Sequence, residues 1–211
     1  MRNRKIDIII PAYKGHSTIW QTLCSIASQT IINDIEVTIV NDCCPEGSYQ
    51  MFVSIFSPYM TIKEVKADEN KGLVVARQKG IDSTNNEYIT FINVDDVFYC
   101  TKALDTLRKA IEETVSPERG IPTGSEYACV TSSFFDEKNN SIIKYPYGYS
   151  AYLHGKLYRR EFLEKHKVQF GDIKADEDTS FNTVIRMLCC IPENPANDID
   201  SLTYLWRNNC D

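Results

Sequence analysis

The 211-residue sequence has no surplus of positive charge: 23 Lys and Arg stand against 29 Asp and Glu, a formal net charge of −6 with a pI near 5.2. A general binder of phosphate backbones needs the opposite balance to displace counterions, so nucleic acid is excluded as an expected partner. The sequence also lacks an apolar run of the roughly 18 residues that a membrane span requires. Its basic start, Arg2, Arg4 and Lys5, passes directly into "IDIII", which is too short and too interrupted for a signal peptide or a span and reads as a solvated tail entering a first strand. The expected location is cytoplasmic, with no transmembrane segment and with peripheral membrane association left open. None of the eight cysteines falls in a C-x-x-C pair, the spacing of a zinc site, so reduced thiols are the preferred reading. The adjacent pairs Cys43-Cys44 and Cys189-Cys190 are the places that could invite metal or oxidation chemistry, although neighbouring side chains diverge on a strand or helix. Two phosphate-binding signatures are missing as well: no G-x-G-x-x-G follows the first strand and no G-x-x-x-x-G-K-[ST] occurs anywhere. Their absence disfavours a dinucleotide oxidoreductase and a P-loop ATPase.

What is present is the make-up of one soluble globular domain, with 43% hydrophobic and 25% charged residues. Short β-rich runs alternate with helical patterns over the first hundred residues. "KIDIIIPAY", "IEVTIVND", "TIKEVKA" and "EYITFINV" are expected strands; "STIWQTLCSIASQT", a stretch around Met51 to Phe56, and "KGLVVARQKGIDST" are expected helices. Ser17 is a plausible cap of the first helix, and the third is expected to fray near Gly80. This β-α-β order implies right-handed crossovers and a parallel sheet whose strands end along one edge, where ligands bind in open α/β sheets. The second half reads as a helix over "TKALDTLRKAIEETV" with Thr101 as a candidate cap, a strand over "EYACVTSSFF", a return strand or loop, helices over "REFLEKHK" and "EDTSFNTVIRMLCC", and a last strand over "IDSLTYLW".

Tyr13, Asn41, Asp42 and the Asp95-Asp96 pair lie just past strand ends, so separate segments converge on one crevice. Paired acids there suit Mg²⁺ or Mn²⁺, which take oxygen ligands and are commonly anchored by one or two carboxylates plus substrate phosphates. The plainer alternative is that the two acids cap the helix near Thr101 or face water, since acidic dipeptides are common in loops.

In order and spacing, "DIIIPAYKGHSTIWQTLCSIASQT", "EVTIVND", "ENKGLVVARQKGI" and "EYITFINVDD" resemble the nucleotide-binding half of family 2 glycosyltransferases with the GT-A fold, a Rossmann-like, mostly parallel central sheet flanked by helices. "HGKLYRREFL" and "ADEDTSFN" resemble the acceptor half of bacterial members. The resemblance implies a single domain with a nucleotide-sugar half over 1–98 and a smaller, mixed acceptor half over 99–211. It implies that Pro11, Ala12 and Tyr13 line the base pocket, that Asp42 accepts a hydrogen bond from the base, and that Arg77 lies beside the nucleotide or its diphosphate. Asp95 would carry the metal of the D-x-D motif, Asp96 would contact the donor sugar, and Asp178, with Glu177 beside it, would supply the catalytic base. Asn93 stands where the first Asp of D-x-D is usual, and Asn41 with Cys43-Cys44 replaces the usual Asp-Asp-Gly-Ser. An amide at Asn93 can still bond a ribose hydroxyl, but it lowers the charge at the metal site.

The implied reaction is an inverting, metal-dependent transfer from a nucleotide-sugar, a UDP-sugar by expectation, to a hydroxyl of a glycan, lipid-linked or protein acceptor, as in polysaccharide biosynthesis. The implied cofactor is Mn²⁺ or Mg²⁺. Asp178 would take the acceptor proton, while the cation neutralises the departing diphosphate. Taken alone, Asp176, Glu177 and Asp178 also read as first-turn acids favouring a helix dipole. His154, Lys156, Arg159 and Arg160 form a local positive cluster. His154, Lys156 and, near the end of the chain, Arg207 are candidate acceptor or diphosphate contacts, whereas Arg159 and Arg160 read equally well as a solvated helix start. Tyr145, Tyr147, Tyr149 and Tyr152 form either a sugar-stacking surface or a cover for the sheet edge. The competing reading is a weak or silent GT-A-like module that binds a nucleotide or a protein partner; a nucleotidyltransferase would want a glycine-rich, basic first loop, which "PAYKGHST" is not.

Overall fold

The computed structural model describes residues 4–113, 129–144, 152–171, 177–188 and 198–207. The first strand, β1 (Ile6–Ala12), is buried at all seven positions, as a near-continuous apolar run at the centre of a parallel sheet should be. It is followed by α1 (Ile19–Ala27), a 3₁₀ turn (Ile32–Asp34), β2 (Ile35–Asn41), α2 (Gln50–Phe56), β3 (Thr61–Lys66), α3 (Leu73–Asp82) and β4 (Tyr88–Phe91). Then come β5 (Val97–Phe98), α4 (Ala103–Glu113), β6 (Cys129–Asp136), β7 (Ser141–Ile143), β8 (Lys156–Arg159), α5 (Arg160–Lys165), α6 (Glu177–Leu188) and β9 (Asp198–Trp206).

All the described strands join one sheet in the order β3-β2-β1-β4-β8-β6-β9-β5, with β7 on β6. The first four are parallel, in register from Ile6 opposite Ile35 to Ala12 opposite Asn41, so the β1 and β2 carboxyl ends finish side by side. Beyond β4 the sheet is mixed: β8 is antiparallel to β4 and β6, while β9 runs parallel to β6 through a bulge at Ser132 and Ser133.

The period-2 alternation of β1 divides the core. Ile8 and Ile10 pack with Ile19, Leu23, Phe52 and Leu104 from α1, α2 and α4. Ile9 faces the opposite layer, with Ala76 and Ile81 of α3, Phe162 of α5 and Phe181 of α6. Gly80 does not end α3, which continues to Asp82; a Cβ there would lie 2.3 Å from the Ile9 Cγ2, so glycine lets the helix sit against β1.

Three other expectations are corrected. Neither Ser17 nor Thr101 caps its helix: α1 begins after Thr18, and α4 begins at Ala103, where a distant side chain serves instead. Gln29 accepts the Leu104 N–H at 3.1 Å and donates to the carbonyls of Ser25 and Cys100. Two strands were not anticipated, β5 and β8. Arg160 is no solvated helix start; it is buried and donates to the Asp7 carboxylate (3.0 Å), the carbonyls of Asn86 and Ile81, and the Thr84 hydroxyl. Asp7 is the lone acid inside β1, and Asn86 donates to it twice at 2.7 Å.

Removing one partner of a buried ion pair leaves a charge without compensation. Arg160→Ala is therefore expected to cost about 3–5 kcal/mol in urea unfolding, with the Asp7→Ala, Arg160→Ala double variant losing less than the sum of the two single losses.

Candidate active site

A cleft of about 270 Å³ opens at the carboxyl edge of the parallel strands, lined by Pro11, Ala12, Tyr13, Asp42, Asn70, Gly72, Leu73, Ala76, Asn93 and Val94. Five residues expected to bind a donor therefore meet on one surface: Pro11, Ala12, Tyr13, Asp42 and Asn93. Tyr13 stands at the mouth, 42% exposed, with the Lys14 ammonium 5.5 Å from its ring centre. Asp42 is buried, and its two oxygens accept the backbone N–H groups of Lys71 (3.1 Å) and Gly72 (2.8 Å). Gly72 has φ +86°, a left-handed conformation natural to glycine, and this brings both amides of the turn before α3 onto one carboxylate. Asn41, beside it, donates to the Gly47 carbonyl and Glu64 and accepts the Cys44 N–H at 2.8 Å, holding the loop after β2.

The acids after β4 differ in environment. Asp96 is 0% exposed, and its carboxylate accepts from the Tyr204 hydroxyl (2.7 Å), the Arg207 backbone N–H (2.9 Å) and the Asn93 amide (2.9 Å). Burial raises its pKa to about 6, against the pull of the Tyr204 and Arg207 donors and with the neighbouring Asp95 charge adding to the rise. Asp96, expected to contact the donor sugar, is thus an enclosed carboxylate whose three donors position the turn. Asp95 is only 8% exposed, yet its carboxylate makes no hydrogen bond among the described residues. A nearly buried anion without a donor suits a hard cation supplied from outside, so the residue fits the divalent ion expected of it. Thr22 of α1 steadies the turn, its hydroxyl lying 2.9 and 2.8 Å from the Val94 and Asp96 carbonyls.

Asn93 turns its Nδ2 inward, to Asp96 and to His154 Nε2 (3.3 Å), which leaves Oδ1 without a hydrogen bond among the described residues. Because Nε2 faces a donor, the neutral ring carries its proton on Nδ1, which is buried without a hydrogen-bond partner. The ring is stacked between Tyr204 (4.8 Å) and Tyr152 (5.5 Å). Desolvation, helped by the Arg77 and Lys156 charges, lowers the His154 pKa to about 3. His154 and Lys156, the candidate acceptor or diphosphate contacts, are both buried. Arg207 holds Asp96 through its backbone, while its guanidinium lies 3.7 Å from Glu137.

Arg77, one residue past Ala76 in the cleft wall, is buried and paired with Asp178 Oδ1, and the other Asp178 oxygen accepts the Leu153 N–H at 3.2 Å. The expected base thus sits at the start of α6 beside His154's chain neighbour. Arg77, expected beside the nucleotide or its diphosphate, is held by this ion pair next to the cleft wall. The Glu177 side chain, Asp176, Tyr145, Tyr147, Tyr149, Cys189 and Cys190 lie outside the described residues.

Comparison with known proteins decides the family. The sequence matches Glycosyl transferase family 2 over residues 7–167. The chain belongs to that family. Among its family 2 relatives, the poly(ribitol-phosphate) beta-glucosyltransferase of Bacillus spizizenii is 27% identical over 186 residues, covering 84% of this chain and 28% of the relative. S. aureus TarS 1–349 in complex with UDP-GlcNAc superposes with a TM-score of 0.77 at 17% identity, over 98% of this chain and 59% of that one. The mannosyltransferase PcManGT of Pyrobaculum calidifontis, in complex with GDP-Man and Mn²⁺, superposes with a TM-score of 0.69 at 17% identity, over 96% of this chain and 56% of that one. The family 2 chain has the GT-A fold, and it spans between 28% and 61% of the length of the first curated relatives it matches.

Sequence reasoning missed Tyr204, Thr22 and the inward role of Asn93, because each contact crosses more than seventy residues or turns on a rotamer. The alternation of Tyr204 and Trp206 in "LTYLW" was the one local signal of a buried aromatic face.

The His154 environment fixes a pH dependence. Its folded pKa lies below the unfolded value of 6.5, so the unfolded chain binds the proton first and stability is lost as pH falls from 6.5 towards about 3. The loss is expected to reach at most about 5 kcal/mol in urea unfolding across that window, and His154→Phe should flatten the profile. Parallel wild-type and variant profiles would contradict the buried neutral imidazole.

Proposed function

We propose that the chain is the catalytic domain of an inverting glycosyltransferase that moves a sugar from a nucleotide-sugar, a UDP-sugar by preference, to an acceptor hydroxyl in bacterial-type glycan synthesis. The observation that carries the reading is the cleft lined by Tyr13, Asp42 and Asn93, together with the carboxylate of Asp95 two residues further along the chain, which makes no hydrogen bond among the described residues. The nucleotide-sugar complexes of structural neighbours support it, as does the glucosyltransferase name of the Bacillus relative.

In this reading the exposed Tyr13 ring stacks on the base. Asp42, fixed by the Lys71 and Gly72 amides, keeps further lone pairs for a base N–H. Asn93 Oδ1 accepts from a ribose hydroxyl. Asp95 would hold Mn²⁺ or Mg²⁺, which would supply charge neutralisation for the departing diphosphate. Asp178 takes the acceptor proton; Arg77 and the Leu153 N–H orient its carboxylate, and the attack inverts the anomeric centre without a covalent intermediate. The acceptor, a glycan, a lipid-linked sugar or a protein, meets the side of the sheet built from β6, β8 and β9. No helix of the described residues is long and apolar enough to cross a membrane, and a peripheral, cytoplasmic-face setting is consistent with that.

A second reading, a nucleotide-binding module without turnover, draws on the engagement of both Asp178 oxygens. Two variants separate them. UDP with Mn²⁺ at a hundred times its Kd should stabilise the chain by about 2.7 kcal/mol, and Asp95→Ala should remove most of the thermal shift. Asp178→Asn should lower transfer at least about a hundredfold, the scale of general-base catalysis, while UDP affinity stays within about twofold. A panel of nucleotide-sugars assayed for donor hydrolysis identifies the sugar; no turnover with any of them in the wild type selects the second reading.

A further inference from the structure

Beside the donor cleft, on the loops that follow β1 and β2, stands a donor set with no part in the reading above. A ring nitrogen of His16, the Cys44 sulfur and a Glu46 carboxylate oxygen all lie within 4.8 Å of one another. Three further observations single out the trio. The His16 Nε2 is buried and has no hydrogen-bond partner, a costly condition for a polar ring atom. The Cys44 sulfur receives two donors, the Lys14 backbone N–H at 3.2 Å and the Tyr49 hydroxyl at 3.6 Å, which hold it in place beside the trio's other members. The Glu46 Oε2 accepts the His16 backbone N–H at 3.1 Å and lies 3.7 Å from the Cys44 sulfur, so one carboxylate already bridges the other two members.

We propose that His16, Cys44 and Glu46 form a binding site for a borderline-soft divalent cation of the zinc class, separate from the cation held by Asp95. One sulfur, one imidazole nitrogen and one carboxylate make a zinc donor set, with a fourth position open to water; Mg²⁺ and Mn²⁺ prefer sites built of oxygen. Ligand atoms on a tetrahedral zinc stand about 3.4–3.6 Å apart, given its usual bond lengths. The trio therefore needs to close by about an ångström, a movement open to the exposed Glu46 side chain. The scaffold is already set: Asn41 accepts the Cys44 N–H, the fully buried Tyr49 accepts the Gly15 N–H at 3.2 Å, and the His16 ring sits edge-on to Tyr49 at 4.4 Å. On binding, the Cys44 thiol proton passes to solvent and a metal–sulfur bond takes its place. The cation then ties the loop carrying Tyr13 to the loop that follows Asp42. The site itself does not depend on the glycosyltransferase reading; only its influence on the cleft does.

The test uses Co²⁺ as a spectroscopic probe on the chelator-treated full chain. A sulfur-to-cobalt charge-transfer band that saturates at one equivalent and is displaced by Zn²⁺ is expected. It should vanish in Cys44→Ala and need at least about tenfold more metal in His16→Gln and Glu46→Gln. Cys43→Ala and Asp95→Ala should leave it unchanged, so loss of the donor cation and loss of this one are read separately. Because Glu46 is exposed, its variant keeps the fold and guards against misfolding at buried Cys44. No thiolate band at one equivalent, a band that survives Cys44→Ala, or one abolished by Cys43→Ala would overturn the proposal.

Discussion

The site depends on one buried carboxylate. Asp96 lies in the turn after β4, and its donors come from the last strand and the residue that follows it, the Tyr204 hydroxyl and the Arg207 N–H, joined by Asn93 of its own turn. A carboxylate withdrawn from water is tolerated only when its lone pairs are met by donors. Because two of those donors lie more than a hundred residues away, the chemistry that lets Asp96 be buried also locks the acidic turn to β9. Asp95 inherits its position from that lock. It sits inside a turn closed by the Asp96 N–H on the Asn93 carbonyl, and Thr22 fixes the carbonyls on either side, while its own carboxylate makes no hydrogen bond among the described residues.

The same logic runs through the layers on both faces of the sheet. Asp7 is held by Arg160 and Asn86, Asp42 by two loop amides, and Asp178 by Arg77 and the Leu153 N–H. Each of these acids joins segments distant in sequence: Asp42 lines the cleft itself, whereas Asp7, the second residue of β1, ties the opposite end of that strand. Apolar contacts make the core, but they are non-directional; these charge-assisted hydrogen bonds fix which loop meets which strand end.

The periodic elements were legible in the sequence because their signals are local. "IDIII" and "EVTIV" announced buried parallel strands, and the β-α-β order led to one rim carrying Tyr13, Asp42 and Asn93. β5 and β8 were not legible, since two residues in one case and "KLYR" in the other show no period before partners are known. The acids at 42, 95, 96 and 178 could be picked out by type and spacing, but the division of labour among them could not. Asp95 and Asp96 are neighbours in a dipeptide, and only the fold makes one an anion without a hydrogen bond among the described residues and the other a buried tie. Arg160 was misread for the same reason: a charged residue at a helix start looks solvated until the far side of the core arrives.

Asn93 shows how a departure from the family pattern can be consistent within one chain. Its two amide hydrogens face two acceptors, the Asp96 Oδ2 at 2.9 Å and the neutral His154 Nε2 at 3.3 Å. An aspartate at this position would set a third carboxylate against the first acceptor and offer the second no proton, in a region where desolvation already raises the Asp96 pKa and lowers that of His154. Like charges at such spacing in a low-dielectric site cannot all ionise. The amide therefore removes one negative charge from the acidic turn and in return lets Asp96 remain a carboxylate and His154 a neutral ring between two tyrosines. Asn93, Asp96, His154 and Tyr204 constrain one another as a set, and a change at any of them alters the hydrogen-bond requirements of the other three.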